Sequence, residues 1–148
     1  MASRVGRRAE MNLPLQAGAL VRHVPNSSAR LRVGRLTWTG QVQPSNETRT
    51  YELRIDVKQH GTPAVWVLND ALKPNDIGLM PHVYNDGSLC LSRRDDWSPD
   101  LLLVQTFLPW ACEWLTYYEL WKATGLWYGD GLHRLDAASQ AKILHPYG

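Results

Sequence analysis

The sequence predicts an α+β domain in which an antiparallel strand meander packs against an N-terminal helix and a long C-terminal helix. Three observations predict it. Tyr51, Leu53, Ile55 and Val57 alternate strictly with Glu52, Arg54, Asp56 and Lys58, the pattern of a strand with one buried face. Apolar residues between Ser98 and Thr124 recur at helical spacing. Short turns separate the strand-like runs of the first half, which makes sequential strands antiparallel. The 148 residues suit one core, read as a single domain over 11–148 behind a loose tail at 1–10.

The elements follow in order. A short helix is expected from about Pro14, a good first-turn residue, to His23. Residues 29–43 read as one strand whose alternation slips at Gly34, which predicts a bulge there. Pro44–Thr48 is the turn into the strand at 51–58, and a further short strand covers 64–68, bounded by Gly61 and Pro63. Residues 69–97 hold Pro74, Gly78, Pro81, Gly87 and three Asn-Asp pairs, and predict a long irregular stretch. Such stretches inside compact domains tend to carry function.

The last helix is expected to open at Ser98-Pro99-Asp100, to kink or split at Pro109, and to end at Gly125. Val104, Phe107, Leu108, Ala111, Leu115 and Tyr118 form one apolar stripe along it. Trp110, Trp114, Tyr117 and Trp121 form a second, read either as another buried side or as an aromatic surface for a partner.

Composition narrows the function classes. Apolar residues make up 44% and charged residues 20%, which excludes a disordered or fibrous chain. No apolar run approaches the about 18 residues of a membrane span. Arg4, Arg7 and Arg8 precede a mildly apolar stretch, but Glu10, Pro14 and Gln16 interrupt it, so no signal peptide is read. Cys90 and Cys112 are too few for a disulfide scaffold, and reduced thiols in the cytoplasm are the default. Residues 1–50 carry eight Arg against two Glu. That basic first third reads as a solvated surface or a contact for an acidic partner, with nucleic acid disfavoured because the Arg residues are scattered.

Cys90 is the candidate nucleophile. It follows the tight-turn signal Asn85-Asp86-Gly87, outside any predicted element, where a thiol has both access and a held geometry. Arg93 and Arg94 lie close in sequence and favour a thiolate. A cysteine between two leucines also reads as a small buried hydrophobe. Cys112, on the apolar side of the long helix, reads as core.

The segment Met80-Pro81-His82-Val83-Tyr84-Asn85-Asp86-Gly87-Ser88-Leu89-Cys90-Leu91, followed by Trp97-Ser98-Pro99, resembles the active-site signature of ubiquitin-conjugating enzymes. That signature runs His-Pro-Asn, a loop ending in Gly, an aliphatic residue, Cys-Leu, then Trp-Ser-Pro opening a helix. Pro81, Gly87, Leu89, Cys90, Leu91, Trp97, Ser98 and Pro99 find counterparts. The loop from Cys90 to Trp97 is slightly shorter than usual. The order of elements agrees over residues 12–125. The resemblance implies a ubiquitin-conjugating-enzyme-like fold, with Cys90 carrying an acyl group as a thioester.

The family's Asn, which stabilises the oxyanion, falls at His82, and its His falls at Met80. An imidazole can donate a hydrogen bond to an oxyanion or take a proton from an amine, so His82 is the candidate for that role. Tyr84, Asn85 and Asp86 are expected to shape the same pocket, without assigned roles. The C-terminal part, with Asp130 and His133, is similar to the stand-alone bacterial members found in CBASS anti-phage operons. There the resemblance implies that the C-terminus of a cGAS-like nucleotidyltransferase is the group carried.

No Gly-rich phosphate loop and no dinucleotide fingerprint occur, so no cofactor is expected, and the acyl group comes activated from a separate enzyme or is loaded by an unusual route. Two other readings stand beside this one. One is a non-catalytic binding subunit of a nucleotidyltransferase complex that uses the aromatic helix surface. The other is a cysteine hydrolase pairing Cys90 with His133.

Overall fold

The computed structural model describes residues 10–91, 97–129 and, as backbone, 144–145. The expected tail lies outside the described residues except for Glu10.

Helix α1 spans Leu13–His23. Asn12 caps it, its side-chain oxygen accepting from the Leu15 N–H at 3.1 Å, and Pro14 sits in the first turn. Arg22 and His23 occupy the last turn, where cations suit the dipole. Leu13, Gln16, Ala17 and Leu20 are buried, one face at helical spacing.

Strand β1 (Ser28–Arg32) and strand β2 (Arg35–Val42) form a tight hairpin. The single bulged strand expected over 29–43 is therefore corrected to two strands. The slip in alternation at Gly34 marks a reversal of the chain. Val33 and Gly34 make the turn, with Gly34 at φ +69°, so Leu31 comes to face Leu36 and Ala29 to face Trp38. Strand β3 (Tyr51–Lys58) pairs with β2, and β4 (Ala64–Val67) with β3. The four-stranded antiparallel sheet runs in chain order. As the alternation predicts, Tyr51, Leu53, Ile55 and Val57 are buried, while on the opposite face Arg35 forks onto the Asp56 carboxylate. The two-residue strand β5 (Met80–Pro81) pairs with β6 (Leu144–His145).

The last helix departs from expectation at its start. Ser98 to Asp100 form a turn, with the Ser98 hydroxyl donating to the Asp100 carboxylate and the Leu101 N–H to the Ser98 carbonyl. A 3-10 turn follows at Leu103–Gln105, and helix α2 begins only at Phe107 and runs to Thr124. Pro109 is thus the third helical residue and does not split the helix. In the first turn its missing N–H has no intrahelical acceptor to lose. Gly125 ends the helix in left-handed conformation, φ +79°, its N–H bonding the Trp121 carbonyl at 2.8 Å.

The delayed start has a cause in α1. Buried Gln16 donates from Nε2 to the Leu101 carbonyl at 2.9 Å and accepts at Oε1 from the Leu103 N–H at 2.8 Å. This side chain ties the segment ahead of α2 to α1 in a peptide-like, two-bond clasp. The core then joins Leu13, Leu20, Leu36, Trp38, Ile55, Leu103 and Leu115 in one cluster. Of the second stripe on α2, Trp114 and Trp121 are buried and Trp110 and Tyr117 half-buried. The stripe is a second packed side of the helix, and its two buried indoles offer no surface to a partner.

Replacing Gln16 by Ala should strand the buried Leu103 N–H and the part-buried Leu101 carbonyl. We expect a loss of about 2–4 kcal/mol of stability, read by urea unfolding.

Candidate active site

Residues 82–90 form a hairpin built around a three-residue turn. Val83 and Leu89 bridge opposite one another, both buried, and anchor it. The Tyr84 N–H bonds the Ser88 carbonyl at 2.8 Å and the Cys90 N–H bonds the His82 carbonyl at 2.9 Å. The Gly87 N–H closes the turn onto the Tyr84 carbonyl at 2.9 Å. Gly87 has φ +89°, the left-handed position such a turn requires. Asp86 locks the turn from its side chain. Its Oδ1 accepts from the Ser88 hydroxyl at 2.6 Å and from the Ser88 N–H at 2.9 Å. Those bonds hold its carboxyl below the usual carboxylate range, the hydroxyl contributing most.

Two elements hold the hairpin in place. Strand β4 takes one side: the Leu89 N–H bonds the Val65 carbonyl at 2.8 Å, and Trp66 Nε1 donates to the Asp86 carbonyl at 3.2 Å. Helix α2 takes the other, Trp114 Nε1 donating to the His82 carbonyl at 3.2 Å. His82 itself has φ +49°, a conformation in which Asn, Asp and His are enriched among non-glycine residues. Its ring lies against Trp127, centroids 5.3 Å apart at 33°. Trp127 is buried and packs in turn on Trp114 and Tyr117.

Cys90 is half-buried, at the last position of the hairpin. Its Sγ donates to the Tyr84 hydroxyl at 3.3 Å, and Tyr84 is half-exposed. The phenol is pushed up to about 12, first by this hydrogen bond, then by burial and the neighbouring charges. The other thiol differs. Cys112 is half-buried along α2, and burial pushes its thiol upward, away from the reactive form.

Cys90 and His82, both expected at the site from sequence, are thus joined through backbone, and Tyr84 touches the sulfur. Arg93, Arg94, Asp130 and His133 lie outside the described residues. The brace formed by Trp66, Trp114 and Trp127 was not foreseen. The Tyr84 contact had a readable signal: across a three-residue turn Tyr84 faces Ser88, and Cys90, two residues on, is its diagonal neighbour on the same face. No group of three His, Cys, Asp or Glu among the described residues could hold a metal ion. Among those residues no helix is long and apolar enough to cross a membrane.

Fold and site together define an α+β protein that presents a half-exposed cysteine from a hairpin clamped between a sheet edge and a long helix. The family model described as Type II CBASS E2 protein matches residues 16–134, and the chain belongs to that family, the E2-like proteins of CBASS. A search of curated proteins finds no match.

Removing the Asp86 carboxylate should loosen the turn. Asp86→Ala is expected to lower stability at pH 7 by about 1 kcal/mol, through hydrogen bonds that solvent partly replaces. Since the folded carboxyl lies below its unfolded value of about 3.9, the contribution is full above that pH. It fades as pH falls through the folded value, so the variant and the native chain should converge in acid. Thermal unfolding at neutral and acid pH checks this.

Proposed function

We propose that this chain is an acyl carrier of the ubiquitin-conjugating kind, acting in CBASS anti-phage defence. Cys90 attacks an activated C-terminal carbonyl and holds it as a thioester. An amine then attacks that carbonyl, an amide forms, and the Cys90 thiolate leaves. The thioester divides one difficult acyl transfer into two easier steps. The group carried is the C-terminus of a cGAS-like nucleotidyltransferase, activated by a separate enzyme.

The observation that carries this reading is the placement of Cys90. A half-exposed thiol at the end of a hairpin fixed on both sides is open to a macromolecular acyl group yet held in position. The family match runs through this hairpin and supports the conjugating role. His82 stands where the resemblance puts the family's Asn. Both residue types tolerate left-handed backbone and both can donate to an oxyanion, so the exchange preserves geometry and chemistry together.

The test is a thioester trap. The chain, expressed with the neighbours of its operon and kept non-reducing, should carry a thiol-labile adduct on Cys90 by mass spectrometry, and its mass names the cargo. Cys90→Ser should hold a thiol-stable ester and Cys90→Ala nothing. A chain that stays unmodified while co-purifying with a neighbour would overturn the reading in favour of a binding subunit. For the loaded protein, His82→Ala should slow transfer to an amine about 10-fold or more, with His82→Asn recovering part of the loss.

A further inference from the structure

We propose that Tyr84 is a catalytic residue of the thioester chemistry: its phenol donates a hydrogen bond to Cys90 Sγ whenever that sulfur is negatively charged, first as the attacking thiolate and again as the thiolate expelled by the amine. This assignment rests on the acyl-carrier reading above.

The hairpin geometry carries it. With the turn closed at Gly87 and the ladder bonds at Tyr84–Ser88 and His82–Cys90, Tyr84 and Cys90 stand on one face, six residues apart in sequence. The Tyr84 hydroxyl lies 3.3 Å from the sulfur. Each group has one proton, so the bond survives ionisation of the thiol by reversing. The thiol donates while neutral, and the phenol donates once the sulfur is charged. A donor to a charged acceptor is worth more than the same donor to a neutral one. The Asp86 lock on the turn fixes the backbone that sets this contact.

The two steps balance as follows. In loading, the Cys90 thiol gives its proton to solvent, the sulfur lone pair forms the C–S bond, and the activating group leaves with its bonding pair. In transfer, the amine lone pair forms the C–N bond, the C–S pair returns to sulfur, and the amine proton goes to a base or to water. The phenol keeps its proton throughout. Its upward shift to about 12 keeps it a donor at neutral pH and excludes it as the base. An acylated sulfur is uncharged and a weak acceptor, so the bond weakens in the thioester and strengthens as the C–S bond breaks. It therefore favours the transition state over the loaded ground state, which is what accelerates a step.

The experiment uses the full chain with Cys112→Ala, so that Cys90 is the reacting thiol, with and without Tyr84→Phe. Phe keeps the ring and removes the donor. Alkylation of Cys90 by iodoacetamide, followed by mass spectrometry as pH is varied, gives the midpoint of thiol ionisation. The midpoint should rise by about half a pH unit in the Phe variant, about a threefold loss of thiolate at neutral pH. Cys90 is then loaded from the thiophenyl thioester of N-acetylglycine and discharged with hydroxylamine. Discharge should slow about threefold or more. Purely structural packing of the ring would move neither quantity, and equal midpoints or equal discharge rates overturn the assignment. Neither measurement needs a partner or an activating enzyme. Equal midpoints beside a native adduct on Cys90 would remove Tyr84 alone, whereas a shifted midpoint with no adduct in cells would remove the acyl-carrier reading beneath it.

Discussion

One backbone oxygen sets the position of the thiol. The His82 carbonyl accepts from the Cys90 N–H and from Trp114 Nε1, using both lone pairs. The first donor belongs to the strand that carries the sulfur and the second to the middle of α2. His82 is held in left-handed backbone, a conformation that costs of order 1–3 kcal/mol for a residue with a side chain. Two hydrogen bonds on its carbonyl and an indole against its ring are enough to hold it there. If that oxygen were released, the hairpin would lose its hydrogen bond to the helix and keep those to β4. The distance from Tyr84 to Cys90 depends on the same hairpin, so thiol, phenol and imidazole share one support.

This arrangement explains the choice of aromatic residues on α2. An apolar residue such as Leu at position 114 would fill space but leave the second lone pair of the His82 carbonyl unused. Tryptophan fills the space and reaches the oxygen with its N–H. Its ring also stacks on Tyr118 at 5.6 Å and packs on Trp127. Tyr118 in turn accepts at its hydroxyl from the Lys73 N–H at 2.7 Å, which ties down the approach to the hairpin. The second aromatic stripe is therefore structural support for the loop segment. Its indoles at Trp114 and Trp121 are packed on the inside, while Trp110 and Tyr117 are half-buried.

The sequence was most legible where a single face meets the core. Strand β3 alternates cleanly because every second side chain is buried, and α1 and the end of α2 carry their own caps. It was least legible where a distant residue decides. Nothing local to Ser98-Pro99-Asp100 shows that Gln16, far back in the chain, will claim the next backbone groups and delay the helix to Phe107. At Gly34 the same loss of phase is produced by a bulge or by a two-residue turn, and only pairing separates them. At the site, turn chemistry pointed to Cys90 as an accessible thiol, and the family resemblance pointed to His82. The Tyr84 contact was legible only through the number of residues in the turn, which fixes the side chains that become diagonal neighbours.

The basic first third of the chain bears on how the thiol is tuned. Two of its arginines are engaged elsewhere. Arg35 pairs with Asp56, and Arg49 lies over the Tyr51 ring. From the following strand, Arg54 lies over Trp66. Among the described residues, what touches the sulfur is a neutral phenol. A cation lowers a thiol's pKa through its field, is screened by salt, and stabilises the charge on sulfur before and after reaction alike. A neutral donor acts at contact and responds to the charge that the sulfur carries at each moment. In the acyl-carrier reading, a donor that holds the thiolate more tightly than the thioester favours release over loading, so the drive for loading comes from the activated acyl group.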